Sequence, residues 1–208
     1  MTRAGLRAAS ALALLVCTGT ALAGPLDDAR ALYGRGRYPE ARDLLQAVTS
    51  AEPSNAVAAY FLGMSLFRIP GPASLDGAHT WLGRAVKLDP GNAHYLAQYA
   101  GVCLLLADRD HSFLLALEGR DDMERVIQAN PADLEAREGL MRFYAKAPWP
   151  LGDAGKALAQ AAEIAHRDPA RGRTAYLALA SGFEKGGQHA DALSATRAAQ
   201  SLAQGRPD

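Results

Sequence analysis

The chain has 208 residues, and its 22 Lys and Arg side chains balance 22 Asp and Glu, so its formal net charge is zero. This balance argues against a general nucleic-acid binder, which needs a basic surplus to displace counterions, and an apolar content of 49% argues against a disordered chain. The chain contains 44 Ala and 29 Leu but only 6 Val and 3 Ile. Because helices favour Ala and Leu whereas strands favour β-branched residues, the composition predicts an all-α protein.

The first predicted element is an export signal over residues 1–23. Arg3 and Arg7 give a short positive head, an uncharged apolar stretch follows, and Ala23 precedes Gly24 in a small-x-small cleavage pattern. We therefore expect cleavage after Ala23 and a periplasmic location for the mature chain.

Other readings of this N-terminus stay open. A retained membrane helix is less favoured, because the uncharged stretch is shorter than the roughly 20 residues that span a bilayer. A lipid anchor would use Cys17, but Val16 stands where a lipobox has a small residue. Secretion beyond the envelope is a further alternative.

A proline motif recurs along the rest of the chain, at Pro53, Pro90, Pro131 and Pro169. The spacings are 37, 41 and 38 residues, and a period of roughly 20 to 50 residues predicts stacked supersecondary units. Each proline would end a helix. Asn55, Asn92 and Asp133, two residues after the first three prolines, would cap the next helix. Arg171 cannot cap in this way, so we expect the fourth joint to be capped otherwise, for example by water.

Apolar residues recur at helical spacing between these prolines. Ala59, Leu62 and Leu66, for example, share one helical face. A small residue also stands twelve positions before each proline, where it would let two antiparallel helices approach closely. These small residues are Ala41, Ala78, Gly119 and Ala157.

The repeat resembles the tetratricopeptide repeat (TPR), as found in exported bacterial proteins, whose unit has about 34 residues. The match is clearest from Gly36 to Ala41 and from Gly187 to Ala192, and it covers residues 26–202 as about five units. The resemblance implies an all-α, right-handed solenoid of about five TPR-like helical hairpins over 24–203, followed by a disordered tail at 204–208. An unrelated helical bundle is the alternative.

The resemblance also implies a concave groove, lined by the first helix of each hairpin, that binds a protein or peptide partner. Trp149, between two prolines, is a further candidate that either folds onto the solenoid or contacts the partner. The alternative for the aromatic and Met positions is ordinary core packing. The family's clamp for C-terminal carboxylates needs a groove Asn, which is missing here, so a receptor for chaperone tails is disfavoured. The implied groove positions include Tyr60, Met64, Phe67, Arg68, His94, Ala97, Gly101, Leu105, Glu138, Arg142, Lys146 and Lys185.

A search for chemistry finds no catalytic or metal-binding pattern. The five histidines show no His-x-x-x-His spacing, and Cys103 would be the only cysteine left after cleavage. Because Cys103 lies in an apolar run, we expect a buried structural thiol. We expect no cofactor and no metal.

The sequence therefore predicts a noncatalytic scaffold or adaptor of the bacterial cell envelope, with no nucleic-acid partner and no membrane span after cleavage. One alternative is a helical periplasmic hydrolase acting on the cell wall, with Glu118, Glu124 or Glu138 as its acid. Another is a self-associating structural module, which would form a homodimer through the C-terminal hairpin.

Overall fold

The computed structural model describes residues 24–148 and 150–205, and within these ranges it contains ten helices and no strand. The helices pair into five hairpins, and each hairpin packs on the next along the chain. The predicted all-α solenoid is therefore confirmed. The signal peptide with Cys17, Trp149, and residues 206–208 of the predicted tail lie outside the described residues. The helices are α1 Pro25–Gly34, α2 Tyr38–Ala51, α3 Ala56–Arg68, α4 Pro72–Leu88, α5 Ala93–Asp110, α6 Phe113–Ala129, α7 Leu134–Lys146, α8 Ala154–Arg167, α9 Pro169–Lys185 and α10 His189–Ala203.

The first three joints between hairpins are built as the sequence predicts. Each proline follows a helix end, and the capping side chain two residues later accepts a hydrogen bond from the backbone N–H three positions further on. The distances are 2.9 Å for Asn55, 3.2 Å for Asn92 and 2.9 Å for Asp133. These bonds satisfy backbone donors that the first turn of a helix leaves unpaired.

The fourth joint is tighter than the other three. Asp168 is the single residue between α8 and α9, and its Oδ1 accepts a hydrogen bond from the Arg171 backbone N–H at 2.9 Å. Pro169 occupies the first turn of α9, where a missing N–H costs nothing. The cap at this joint is therefore the Asp168 side chain, and not the water suggested from the sequence.

The small residues twelve positions before the prolines are buried between packed helices. Ala41, Ala78 and Ala157 are fully buried. Gly119 is buried as well, and a Cβ added there would lie 2.8 Å from the Leu104 side chain. The departure from alanine in the third hairpin thus has a steric cause.

The apolar core follows the stack as three successive clusters, because each hairpin buries its face against its neighbours. Cys103 lies in this core with no exposed surface, and burial raises the pKa of its thiol to about 12. The buried thiol expected from the sequence is confirmed. Among the described helices, none combines the length and the apolar character that a bilayer crossing requires.

Candidate functional site

A cavity of about 600 Å³ opens between α5 and α7, the first helices of the third and fourth hairpins. Its lining also includes residues from the start of α6 and from the segment that leads out of α7. The volume falls in the range of roughly 300–1,000 Å³ that is typical of ligand sites. We call this space the α5–α7 cavity.

Large apolar side chains are exposed at one end of the α5–α7 cavity. Leu105 is 47% exposed and Phe113 is 53% exposed, and both line the cavity. Leu151, from the segment after α7, lines it as well. Apolar surface gathered in a concavity is typical of a binding site, whereas single exposed apolar residues are common on any protein surface.

Glycines keep the floor of the cavity open. Gly101 on α5 and Gly139 on α7 both line it, and Met123 reaches it from α6. A Cβ on Gly139 would lie 2.9 Å from the Met123 Cε, and a Cβ on Gly101 would lie 3.7 Å from the same atom. The flexible thioether side chain of Met123 therefore forms the floor between the two first helices.

Charged side chains form the rim of the cavity. Glu138 lies between two guanidinium groups: its Oε1 accepts from Arg171 Nε at 2.5 Å and its Oε2 accepts from Arg142 Nη2 at 3.0 Å. The hydrogen bond to Glu138 raises the pKa of Arg171 above its ordinary value. Lys146 Nζ donates to Asp108 Oδ2 at 3.3 Å.

Several of the sequence-predicted groove residues come together in this cavity. Phe67, Glu138, Arg142 and Lys146 line it. So do three further positions that the resemblance implied: Ala97, Gly101 and Leu105. Their role in partner binding stays a prediction.

Tyr60 and Met64 lie elsewhere, in the packing between the second and third hairpins. They are only 8% and 4% exposed, which favours the core alternative for both. The Tyr60 ring stacks on Tyr95 with centroids 4.6 Å apart, and burial raises the pKa of Tyr60 to about 12. The exposed His94 lies at the edge of this packing and is hydrogen-bonded to Tyr60, with its Nε2 2.8 Å from the Tyr60 hydroxyl oxygen.

Arg68 and Lys185 do not line the cavity. Arg68 is exposed at the end of α3, with its guanidinium carbon 5.8 Å from the ring centroid of Phe67. Lys185 is exposed at the end of α9. Trp149 is outside the described residues, although Pro148 and Leu151 on either side of it contribute to the lining.

Sequence reasoning missed Phe113 and Arg171. Phe113 follows directly on the α6 capping residue Ser112, whose Oγ accepts from the backbone N–H of Leu115 at 3.3 Å. A bulky apolar residue at the start of a helix, just after a polar turn, is a signal that could have found it. Arg171 lies 33 positions after its partner Glu138, close to one repeat length, and that spacing predicts contact between neighbouring first helices.

The carboxylates considered for a hydrolase have other partners. Glu118 Oε1 accepts from the Tyr99 hydroxyl at 2.7 Å, and Glu124 Oε1 accepts from the Tyr144 hydroxyl at 2.7 Å. Glu138 is held by its two guanidinium groups. Over 24–148 and 150–205, no group of three or more metal-ligating side chains comes together.

No protein-family model matches the chain, and no curated protein matches it. Solved structures do. MamA from Desulfovibrio magneticus RS-1 is 17% identical with a TM-score of 0.68, over 88% of this chain and 96% of that one. YrrB, described as a TPR protein with an unusual peptide-binding site, is 17% identical with a TM-score of 0.65, over 86% of this chain and 84% of that one.

A further match is the Thermobaculum terrenum O-GlcNAc transferase, at 22% identity and a TM-score of 0.58, over 69% of this chain but 25% of the transferase. At such identities, likeness to a solved structure bears on the fold alone. The five stacked hairpins and these likenesses agree, and the chain has the tetratricopeptide-repeat fold.

Proposed function

We propose that the chain is a noncatalytic TPR scaffold whose α5–α7 cavity holds a segment of a partner protein. The observation that carries the proposal is the cavity itself, in which Leu105 and Phe113 are exposed beside the cations Arg142 and Lys146. Apolar anchors desolvated inside a polar rim are the usual source of binding energy in protein interfaces. The peptide-binding site named for YrrB supports the same kind of ligand.

We test this with a photo-crosslinking residue placed singly at positions 105, 113 and 114. Leu114 is the matched control, because it follows Phe113 in α6, is 77% exposed and does not line the cavity. In cells, positions 105 and 113 should yield the same discrete adduct, and position 114 should not. Equal yields at all three positions, or none at 105 and 113, would contradict the proposal.

We further propose that the scaffold works in the periplasm of a bacterial cell. Support comes from the signal pattern over 1–23, and from α1 beginning only at Pro25, so that cleavage after Ala23 would leave every described helix intact. Mass spectrometry of the protein from a periplasmic extract should find Gly24 at its N-terminus. A membrane-bound species that is lost on Cys17→Ser substitution would show a lipid anchor instead.

Self-association is a second candidate, favoured by two half-exposed leucines on the last hairpin, Leu177 and Leu193. Light scattering over a concentration series would show a dimer whose population falls on Leu193→Lys substitution. A constant monomer mass would exclude this candidate. An assay on purified peptidoglycan tests the noncatalytic part of the proposal, since turnover there would contradict it.

A further inference from the structure

We propose that the α5–α7 cavity selects a partner segment in which a bulky apolar side chain lies next to a carboxylate side chain. The inference rests on the proposed function, and it adds the chemistry of the segment that the cavity recognises. Two features carry it: the depth of the apolar floor and the position of the cations around the apolar end.

The floor is deep because two facing first helices carry glycine where they border the cavity. Gly101 and Gly139 leave room down to Met123 in the second layer of helices. A thioether side chain adapts its shape to an apolar neighbour at little cost, so this floor suits a large aromatic or aliphatic group. The exposed faces of Leu105 and Phe113 would cover the flank of such a group.

The charges around the cavity divide along α7. Glu135 is in the first turn of α7 and Lys146 is its last residue, so the two lie about 16 Å apart along the helix axis. Glu135 faces Gln98, whose Nε2 is 3.5 Å from the Glu135 Oε2. The acidic end of α7 is therefore remote from the apolar end of the cavity.

The cations lie at the apolar end. Arg142 and Lys146 are 67% and 70% exposed there; the acidic partner of Arg142 is Glu138, and that of Lys146 is Asp108 on α5. Glu138 is shared by Arg142 and Arg171, so these three side chains together carry one net positive charge. Because Glu135 and Asp168 also act on Arg171, the cation of the three that is most open to a ligand is Arg142. The neighbouring pair of Lys146 and Asp108 is neutral as a unit, and both members are exposed enough to exchange partners with a ligand.

The first experiment compares three small probes that differ only in their head group: 4-phenylbutyrate, 4-phenylbutanol and 4-phenylbutylamine. Binding is followed on the full mature chain by amide chemical shifts in NMR titrations. The carboxylate should bind about tenfold more tightly than the amine, with the alcohol between them, and added salt should narrow the gap. An amine that binds as tightly as the carboxylate overturns the inference.

Variants then separate the floor from the rim. Gly101→Leu should weaken all three probes at least tenfold by filling the floor, and a thermal melt checks that it folds. Gly101→Ala, whose added methyl would meet only the Met123 Cε, is the milder version and should weaken them less. Arg142→Gln combined with Lys146→Gln should leave alcohol binding unchanged and remove the preference for the carboxylate. Lys185→Gln, at an exposed cation away from the cavity, should keep that preference.

A further titration with peptides tests whether the ligand is a peptide segment or a fatty acid. An acetylated peptide with Phe followed by Glu should bind more tightly than the same peptide with Phe followed by Lys, and more tightly than decanoate. Tighter binding of decanoate would overturn the choice of a peptide in favour of a fatty acid. If crosslinking succeeds at positions 105 and 113 while no probe prefers the carboxylate, the inference fails and the scaffold proposal stands. If crosslinking fails as well, both fail.

Discussion

At the scale of single residues, glycines mark both the closest helix contacts and the open floor of the cavity. A Cβ added at Gly172 would overlap the backbone of Ala165, because α8 and α9 turn back on one another across a single residue. A Cβ added at Gly101 would meet only the Met123 Cε at 3.7 Å, an ordinary van der Waals distance. Glycine is therefore required for close helix packing at Gly172, whereas at Gly101 it leaves open space in the cavity.

This contrast gives a paired prediction for alanine substitution. Gly172→Ala should lower the free energy of unfolding by about 3 kcal/mol, because the overlap forces α8 and α9 apart. Gly101→Ala should raise it by about 0.5–1 kcal/mol, since alanine is the better helix former and the site has room. Urea unfolding followed by circular dichroism measures both. A Gly172→Ala protein as stable as the wild type would contradict the described packing.

The buried thiol of Cys103 predicts how stability depends on alkaline pH. Burial raises its pKa from 9.0 to about 12, so above pH 9 the unfolded chain releases a proton that the folded chain keeps. The stabilisation is therefore complete below pH 9 and is lost as the pH rises towards 12, with Tyr60 adding to the loss above pH 10. Between pH 8 and pH 11, the midpoint of urea unfolding should fall less for Cys103→Ala than for the wild type. An equal fall in the two proteins would contradict the shift.

Individual side chains also explain which parts of the site could be predicted from the sequence and which could not. The groove positions implied in the second hairpin and those in the third look equivalent in the sequence. In the structure, stacking of Tyr60 on Tyr95 closes the space between α3 and α5, whereas Gly101 and Gly139 leave the space between α5 and α7 open. Which of two neighbouring interfaces stays open depends on side-chain volumes from both sides, and a repeat offset does not contain that information.

At the scale of helices, the repeat period predicted the joints because proline and capping residues act locally. The fourth joint departed from the pattern, since Asp168 ends one helix and caps the next without the spacer that the other joints have. Only the identity of Arg171 signalled this change in the sequence.

Loss of one cap gives a prediction at this scale. Asp133→Ala should lower the free energy of unfolding by about 1 kcal/mol, because the α7 backbone N–H that it accepts from would lose its partner. Gln188→Ala is the matched control, since Gln188 precedes α10 but makes no capping bond through its side chain. Its effect should stay within about 0.5 kcal/mol. Both variants are measured by urea unfolding. An equal fall in the urea midpoint for the two variants, relative to the wild type, would contradict the capping role.

At the scale of the whole molecule, the stack is quasi-one-dimensional, and each hairpin contacts mainly its neighbours. Five hairpins bury three apolar clusters that are joined by partly buried side chains such as Val86 and Phe61, which explains how a chain with a single cysteine in its described part can hold this shape by packing alone. The solenoid was predictable because the period repeats, whereas the cavity arose from one irregular interface within it.

Because each hairpin contacts mainly its neighbours, we expect a destabilising substitution to loosen the helices near it and not the whole chain. Phe183→Ala, in α9, should lower stability by about 3–5 kcal/mol and speed amide hydrogen exchange chiefly in α9 and α10. Leu45→Ala, in α2, should do the same in α1 and α2 and leave the far end protected. Exchange measured by mass spectrometry distinguishes the two patterns. Uniform acceleration along the chain in both variants would show all-or-none opening instead.

The one-residue joint at Asp168 has a mechanical consequence. Four residues separate the hairpins at each earlier joint, for example 52–55. Hinges between rigid elements are generally formed by a few loop residues of this kind. The connection between α8 and α9 has no spare length, so the last two hairpins should move together as one rigid arm of the solenoid. Glu138 and Arg171 both belong to that arm, and a partner that widens the cavity should therefore pivot the arm about residues 130–133 and keep this ion pair intact.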